Sequence, residues 1–206
     1  MSQSSLDDHS PNHYFTTPEG PTRTRTITVN VWDDSMTMTT AGGVFSGTRL
    51  DPGTAVLMRS VTPPPSNGTF LDLGCGYGPI ACALARACSG SHIVAVDVND
   101  LAIDLTTRNA KALRVGDRVH ACRPEEVDPD LRFDEIWSNP PIRVGKAALH
   151  EILTTWLARL SDEGVAHLVV GKNLGADSLT SWLCEQGFDA ARVASAKGFR
   201  VIDVHA

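Results

Sequence analysis

Leu71-Asp72-Leu73-Gly74-Cys75-Gly76-Tyr77-Gly78-Pro79 is the stretch on which the fold turns. The apolar run at 69–73 reads as a short buried strand, the glycines permit positive φ and close approach of a ligand to the backbone, and Pro79 suits the first turn of a helix. A strand passing through a glycine turn into a helix opens an α/β unit. The spacing is G-x-G-x-G: the third glycine of the G-x-G-x-x-G dinucleotide fingerprint is missing, and no GK[ST] follows to make a P-loop. Taken alone, the segment also fits a tight turn with no ligand.

Working outward, apolar runs at 92–96, 119–122, 133–138 and 164–171 alternate with helical segments at 79–88, 100–113 and 146–160, a pattern that makes a parallel sheet. Near the C-terminus 176–186 reads as helix. The β-prone runs 190–195 and 199–204 are joined by Ala196-Lys197-Gly198, too short for a crossover helix, so the last strand should run antiparallel. Upstream, 26–40 alternates apolar and polar residues on either side of Asp33-Asp34-Ser35 as a β-hairpin. A short helix at 52–61 starts at Asp51-Pro52, and Pro63-Pro64-Pro65-Ser66-Asn67-Gly68 marks a boundary. The expected organisation is a disordered or loosely packed tail over 1–20, the hairpin and connecting helix over 21–62, and an α/β domain over 63–206.

Composition limits the function classes. A chain of 206 residues with 42% apolar and 20% charged side chains suits one α/β domain with a short appendage. The first twenty residues are polar and lack the apolar run of a signal segment, and no later stretch is apolar for long enough to span a membrane, so a cytoplasmic protein is expected. Five cysteines without a C-x-x-C pair argue against a disulfide framework and a zinc site, and no metal is expected. The net charge is −6, and the tail holds three carboxylates and no base, which leaves about −3 for the rest. A general nucleic-acid binder is strongly basic, so any nucleic-acid partner must be recognised locally.

Two further sites carry chemistry. The run His92-Ile93-Val94-Ala95-Val96-Asp97 ends in a carboxylate where an α/β nucleotide fold binds ribose hydroxyls. Asp97 could instead cap the next helix, but Asn99 or Asp100 is better placed for that. The run 133–138 ends at Asn139-Pro140-Pro141-Ile142, at the carboxyl edge of the sheet where such folds bind ligands. An aromatic exocyclic amine is a poor nucleophile because its lone pair is delocalised into the ring. Two acceptors on its hydrogens would draw the nitrogen toward tetrahedral geometry. Asn139 offers a side-chain carbonyl and Pro140 a backbone carbonyl, and the prolines would hold both in place before the substrate arrives. An ordinary Asn-Pro turn is the plain alternative.

These residues, Asp72-Leu-Gly-Cys-Gly-Tyr-Gly78, Asp97-Val-Asn99 and Ser138-Asn-Pro-Pro-Ile142, resemble the class I methyltransferases of the "small" methyltransferase domain family, notably the small-subunit ribosomal RNA guanine-N2 methyltransferases. The likeness covers about 41–206 and extends to Gly43-Val-Phe-Ser46, Asp51-Pro-Gly-Thr54, Lys172, Gly175-Ala-Asp-Ser-Leu179 and Lys197-Gly-Phe-Arg-Val201. It implies a Rossmann-like seven-stranded sheet in the order 3-2-1-4-5-7-6, and S-adenosyl-L-methionine as cofactor, released as S-adenosyl-L-homocysteine. It further implies that Asp72 and the backbone of Gly74, Cys75 and Gly76 hold the methionine end, with Thr54 also facing the methionyl group and the cofactor's methyl facing Asn139. Asp97 would bind the ribose, with Val98 and Asn99 beside the adenine and Glu125 as the adenine contact after the third strand.

Ile142 stands where the family often has Phe or Tyr to stack on the target base. Phe45 is therefore the candidate for gripping the base with Pro141 and Ile142, ahead of His13-Tyr14-Phe15 and of Trp137, whose position in the strand pattern reads as core. Arg143, Lys146 and Lys172 flank the site as phosphate contacts or as a solvated face. The acceptor implied is guanine N2 of small-subunit ribosomal RNA, with a homodimer or the assembled subunit completing recognition. Adenine N6 or a protein glutamine presents the same NH2 to an N-P-P site. A nicotinamide-dependent oxidoreductase would leave Asn-Pro-Pro unexplained, and a silent RNA-binding scaffold has no positive feature in its favour.

Overall fold

The computed structural model describes residues 23–44, 48–65 and 67–206, the Arg143 side chain excepted. The expected tail, with His13-Tyr14-Phe15, and Phe45 lie outside the described residues.

The chain enters as an antiparallel hairpin of β1 (Thr24–Val31) and β2 (Asp34–Ala41). Its turn residues Trp32 and Asp33 both have positive φ, 48° and 62°, the left-handed pair that matches the twist of the flanking strands. Alternation puts Val29, Val31, Met36 and Met38 on the buried face. Trp32 donates from Nε1 to the Val61 carbonyl at 2.9 Å and meets Trp137 edge-on, with ring centroids 5.6 Å apart. Next comes α1 (Pro52–Ser60), with Asp51 as its N-cap and Pro52 in its first turn.

The main sheet contains β3 (Thr69–Leu73), β4 (His92–Val96), β5 (Val119–Cys122), β6 (Phe133–Ser138), β7 (Leu160–Gly171), β8 (Asp189–Ala196) and β9 (Phe199–His205). Their spatial order is β5-β4-β3-β6-β7-β9-β8, which is the order the resemblance implied. The first five are parallel, and β9 pairs antiparallel with both β7 and β8. The intervening helices are α2 (Pro79–Ala87), α3 (Asp100–Ala112), α4 (Lys146–Leu157) and α5 (Ala176–Glu185). Strand alternation divides the core between two faces. Phe70, Ile93, Trp137, Val169 and Val201 pack with the hairpin, α1, α2 and α3, whereas Leu71, Ile136, Leu168 and Ile202 pack with α4 and α5.

Most boundaries fall within two residues of expectation, and two differ by more. The helix expected to reach 160 ends at Leu157, and β7 starts at Leu160 rather than 164. The strand carries an irregularity, with Phe133 opposite Leu160 but Glu135 opposite Val165, so polar Ser161-Asp162-Glu163 belongs to a strand that its sequence does not suggest.

Asn109 of α3, almost fully buried, ties hairpin to sheet. Its Oδ1 accepts from Thr39 N–H at 2.7 Å, and its Nδ2 donates to the carbonyls of Thr39 and Tyr77, both at 2.8 Å. No helix among the described residues is long and apolar enough to cross a membrane.

Candidate active site

The carboxyl ends of β3, β4 and β6 converge. After β3 the chain turns through Gly74, Gly76 and Gly78 at φ 81°, 57° and 82°, a conformation L side chains rarely adopt. The N–H groups of Gly74 and Cys75 donate to the Val96 carbonyl at 2.9 and 3.0 Å, which locks the turn to the end of β4. Side chains added at Gly74 or Gly76 would point into open space, whereas one at Gly78 would strike Thr106 at 2.8 Å. The first two glycines thus leave clear backbone, and the third packs α2 against α3.

Asp97 continues from β4. Its Oδ2 accepts from Gly76 N–H at 2.9 Å and its Oδ1 from Asn99 N–H at 3.0 Å. Burial raises its pKa above the usual carboxylate range, partly offset by the backbone N–H groups of Gly76, Asn99 and Val98. Val98 beside it is 47% exposed, an apolar surface adjoining the carboxylate. Asn99, not Asp97, caps α3: its Oδ1 accepts from Leu101 N–H at 3.0 Å and its Nδ2 donates to the Gly43 carbonyl at 2.9 Å. The expectation of Asn99 beside an adenine therefore falls on a buried side chain already engaged with protein. Glu125 is exposed on a 3-10 turn, 4.0 Å from the Arg123 guanidinium, which also pairs with Asp100 at 2.6 Å.

Asp72 is buried in β3. Its Oδ2 accepts from Ala81 N–H at 2.9 Å, Oδ1 has no partner among the described residues, and burial pushes its pKa up to about 7. The Tyr77 hydroxyl is likewise buried without a partner.

On β6, Ser138 bonds to the Leu73 carbonyl at 2.7 Å, bringing Asn139 level with the glycine turn. The Asn139 amide nitrogen donates to Asp51 Oδ1 at 2.7 Å and to Thr54 Oγ1 at 3.1 Å, while no described residue hydrogen-bonds its Oδ1. Pro141 sits at φ −76°, ψ 72°, an inverse γ-turn in which the Pro140 carbonyl accepts from Ile142 N–H at 2.8 Å. One lone pair of that carbonyl is therefore already used, and one remains. Ile142 is half-buried against the α4 side of the core, and Trp137 is fully buried, as the strand pattern suggests. Lys172 is exposed at the end of β7, with its N–H on the Gly198 carbonyl at 2.7 Å.

A cleft lined by Asp51, Thr54, Gly74, Cys75, Tyr77 and Asn139 joins the glycine turn to the N-P-P segment. A larger cavity of about 450 Å³ lies between the hairpin turn and α1 and contains none of the expected site residues. Sequence reasoning missed Asp51 as a site residue. The Asp-Pro pair revealed a helix cap, but the bond to Asn139 spans 88 positions.

The model of the Methyltransferase small domain family matches residues 35–203. The chain belongs to this family. Its similarities agree. The uncharacterised protein YbxB of Bacillus subtilis is 32% identical over 196 residues, covering 94% of this chain and 97% of that one. Ribosomal RNA small subunit methyltransferase C of Aeromonas hydrophila is 33% identical over 132 residues, 63% of this chain and 37% of that protein. Among solved structures, the T. thermophilus 16S rRNA N2 G1207 methyltransferase in complex with AdoMet and guanosine matches with a TM-score of 0.77 and 25% identity, over 91% of this chain and 52% of that one. The chain thus spans a little over a third of the Aeromonas relative and about half of the Thermus one.

A small-domain methyltransferase uses S-adenosylmethionine, and the residues present fit it. The open backbone over Gly74 and Gly76 leaves room for close approach. The unpartnered Asp72 Oδ1 and Tyr77 hydroxyl offer polar atoms beside that turn, and the Asp97 carboxylate keeps lone pairs for ribose hydroxyls next to the apolar Val98.

Proposed function

We propose that the protein methylates an exocyclic amine, guanine N2 of small-subunit ribosomal RNA, in the cytoplasm where ribosomes assemble. The observation that carries this reading is the Asn139 amide, whose nitrogen is held by Asp51 and Thr54 while its oxygen has no hydrogen-bond partner among the described residues. S-adenosylmethionine, when bound, supplies an electrophilic methyl carbon on a sulfonium. Asn139 Oδ1 accepts one amine N–H and the free lone pair of the Pro140 carbonyl accepts the other, drawing the nitrogen out of conjugation with the ring. Both oxygens stabilise the positive charge that grows on the nitrogen, and the surplus proton passes to water. No strong general base is required.

The likeness to a guanosine-bound 16S rRNA N2 methyltransferase supports guanine as the acceptor, and Arg143, Lys146 and Lys172 would meet phosphates with Phe45, Pro141 and Ile142 near the base. Nucleoside mass spectrometry of ribosomal RNA from cells with and without the gene tests the reading. Loss of N2-methylguanosine is expected in the deleted strain. An unchanged nucleoside profile, with labelled methyl appearing on adenine N6 or on a protein glutamine instead, would overturn it.

A further inference from the structure

We propose that Asp51 is a positioning residue for methyl transfer: as the N-cap of α1 it holds the Asn139 amide in the one orientation that turns Oδ1 toward the acceptor amine. The inference rests on the reading of Asn139 given above.

Asp51 Oδ1 accepts three N–H groups, from Gly53 at 2.7 Å, Thr54 at 3.0 Å and Asn139 Nδ2 at 2.7 Å. The first two make an ordinary helix cap. The third is unnecessary for capping and joins the start of α1 to the end of β6. An asparagine amide has nearly the same shape when rotated by half a turn, so packing alone does not choose which end faces a ligand. Rotated, Asn139 would present N–H to the amine, donor against donor. Thr54 Oγ1, a hydroxyl, can either donate or accept and so tolerates both orientations. A carboxylate only accepts, so the rotated amide would set its oxygen against Asp51 Oδ1. Asp51 therefore decides the orientation, through a charge-assisted bond.

The cap is itself seated. A Cβ on Gly53 would lie 2.9 Å from Phe199 Cε1 and 3.0 Å from Asp51 Oδ1, so ring and carboxylate both close on the same glycine. Phe199 opens β9 opposite Gly171 at the end of β7. The placement of Asn139 thus depends on contacts running from the β7–β9 pair through the first turn of α1.

The test measures turnover on small ribosomal subunits from cells lacking the gene, with S-adenosylhomocysteine affinity by calorimetry and melting temperature alongside. Asp51→Ser keeps a helix cap, but a hydroxyl can donate as well as accept and does not discriminate the two ends of the amide. It should hold the melting temperature and the acceptor KM while kcat falls, by up to about a hundredfold. Asp51→Asn, whose cap-bound oxygen still accepts, should recover most of the loss. The double variant Asp51→Ser/Asn139→Ala should be no slower than Asn139→Ala alone, because the first residue acts through the second. A wild-type rate for Asp51→Ser beside a slow Asn139→Ala overturns the positioning role only, as does a loss that adds to that of Asn139→Ala. A wild-type rate for Asn139→Ala overturns both this inference and the amine-clamp reading.

Discussion

The Asp97 carboxylate accepts the backbone N–H of Gly76 at 2.9 Å, so the acid at the end of β4 and the glycine turn after β3 form one hydrogen-bonded unit. Removing the carboxylate takes away the proposed ribose acceptor and also frees the turn. Asp97→Ala should weaken S-adenosylhomocysteine binding by about 10- to 100-fold, the loss expected for hydrogen bonds to a charged group worth about 1.5–3 kcal/mol. Burial raises the Asp97 pKa, so wild-type affinity should start to fall on acidification at a higher pH than an ordinary carboxylate would dictate. Calorimetry across pH checks this, and affinity that stays flat down to about pH 4 would contradict it.

Asp72 should leave a mark on stability. Burial raises it to about 7 in the folded chain, above the 3.8 of an unperturbed aspartate. Folding then takes up a proton between those values, so this contribution is fully present below the unfolded value and is lost as pH rises through about 7. The melting temperature of Asp72→Asn, measured without ligand, should gain on that of the wild type as pH rises from about 5 to about 8. A difference independent of pH would mean that Asp72 carries no burial penalty.

Asn139→Ala should lower turnover by about 10²- to 10³-fold, the scale seen when one preorganised hydrogen-bonding group is removed from a transition state. S-adenosylhomocysteine affinity should stay within about twofold, since the proposed role of the oxygen is on the acceptor. Single-turnover kinetics and calorimetry on the same sample separate the two effects.

Three of the chain's four lysines, Lys146, Lys172 and Lys197, lie toward the edge where the acceptor is proposed to sit: at the start of α4, after β7 and in the β8–β9 turn. Lys197 takes a left-handed φ of 50°, where glycine would be less strained. Lys172→Ala and Lys197→Gly should each weaken binding of a single-stranded ribosomal RNA fragment and make the log–log salt slope shallower by about 0.7 for each phosphate that is no longer neutralised. Lys111→Ala on α3 serves as the comparison. Salt slopes identical in all three variants and the wild type would remove these lysines from the RNA interface.

The parallel strands were legible in the sequence because burial on both faces makes them short, continuous apolar runs. Phe70-Leu71 in β3 and Ile93-Val94-Ala95-Val96 in β4 are examples, and the observed strands begin and end as expected. The first residues of β7 were not legible, because Ser161, Asp162 and Glu163 lie near an irregular register and carry no apolar period. Within the site, chemistry written into consecutive residues could be read directly: the glycine turn, the acid at 97 and Asn-Pro-Pro. What consecutive residues do not carry is tertiary, namely the Asp51–Asn139 bond, the engagement of the Asn99 side chain and the lone pair of Pro140 already given to Ile142.

Asn109 grips Thr39 on one side and the Tyr77 carbonyl on the other, and so makes the opening hairpin a brace for the cofactor turn. Shortening the protein to its alternating strands and helices would remove that support and strip the Asn109 amide of two of its three hydrogen bonds. The appendage is in this sense internal to the catalytic unit, and a ligand that stiffens the glycine segment should slow amide exchange as far away as β2.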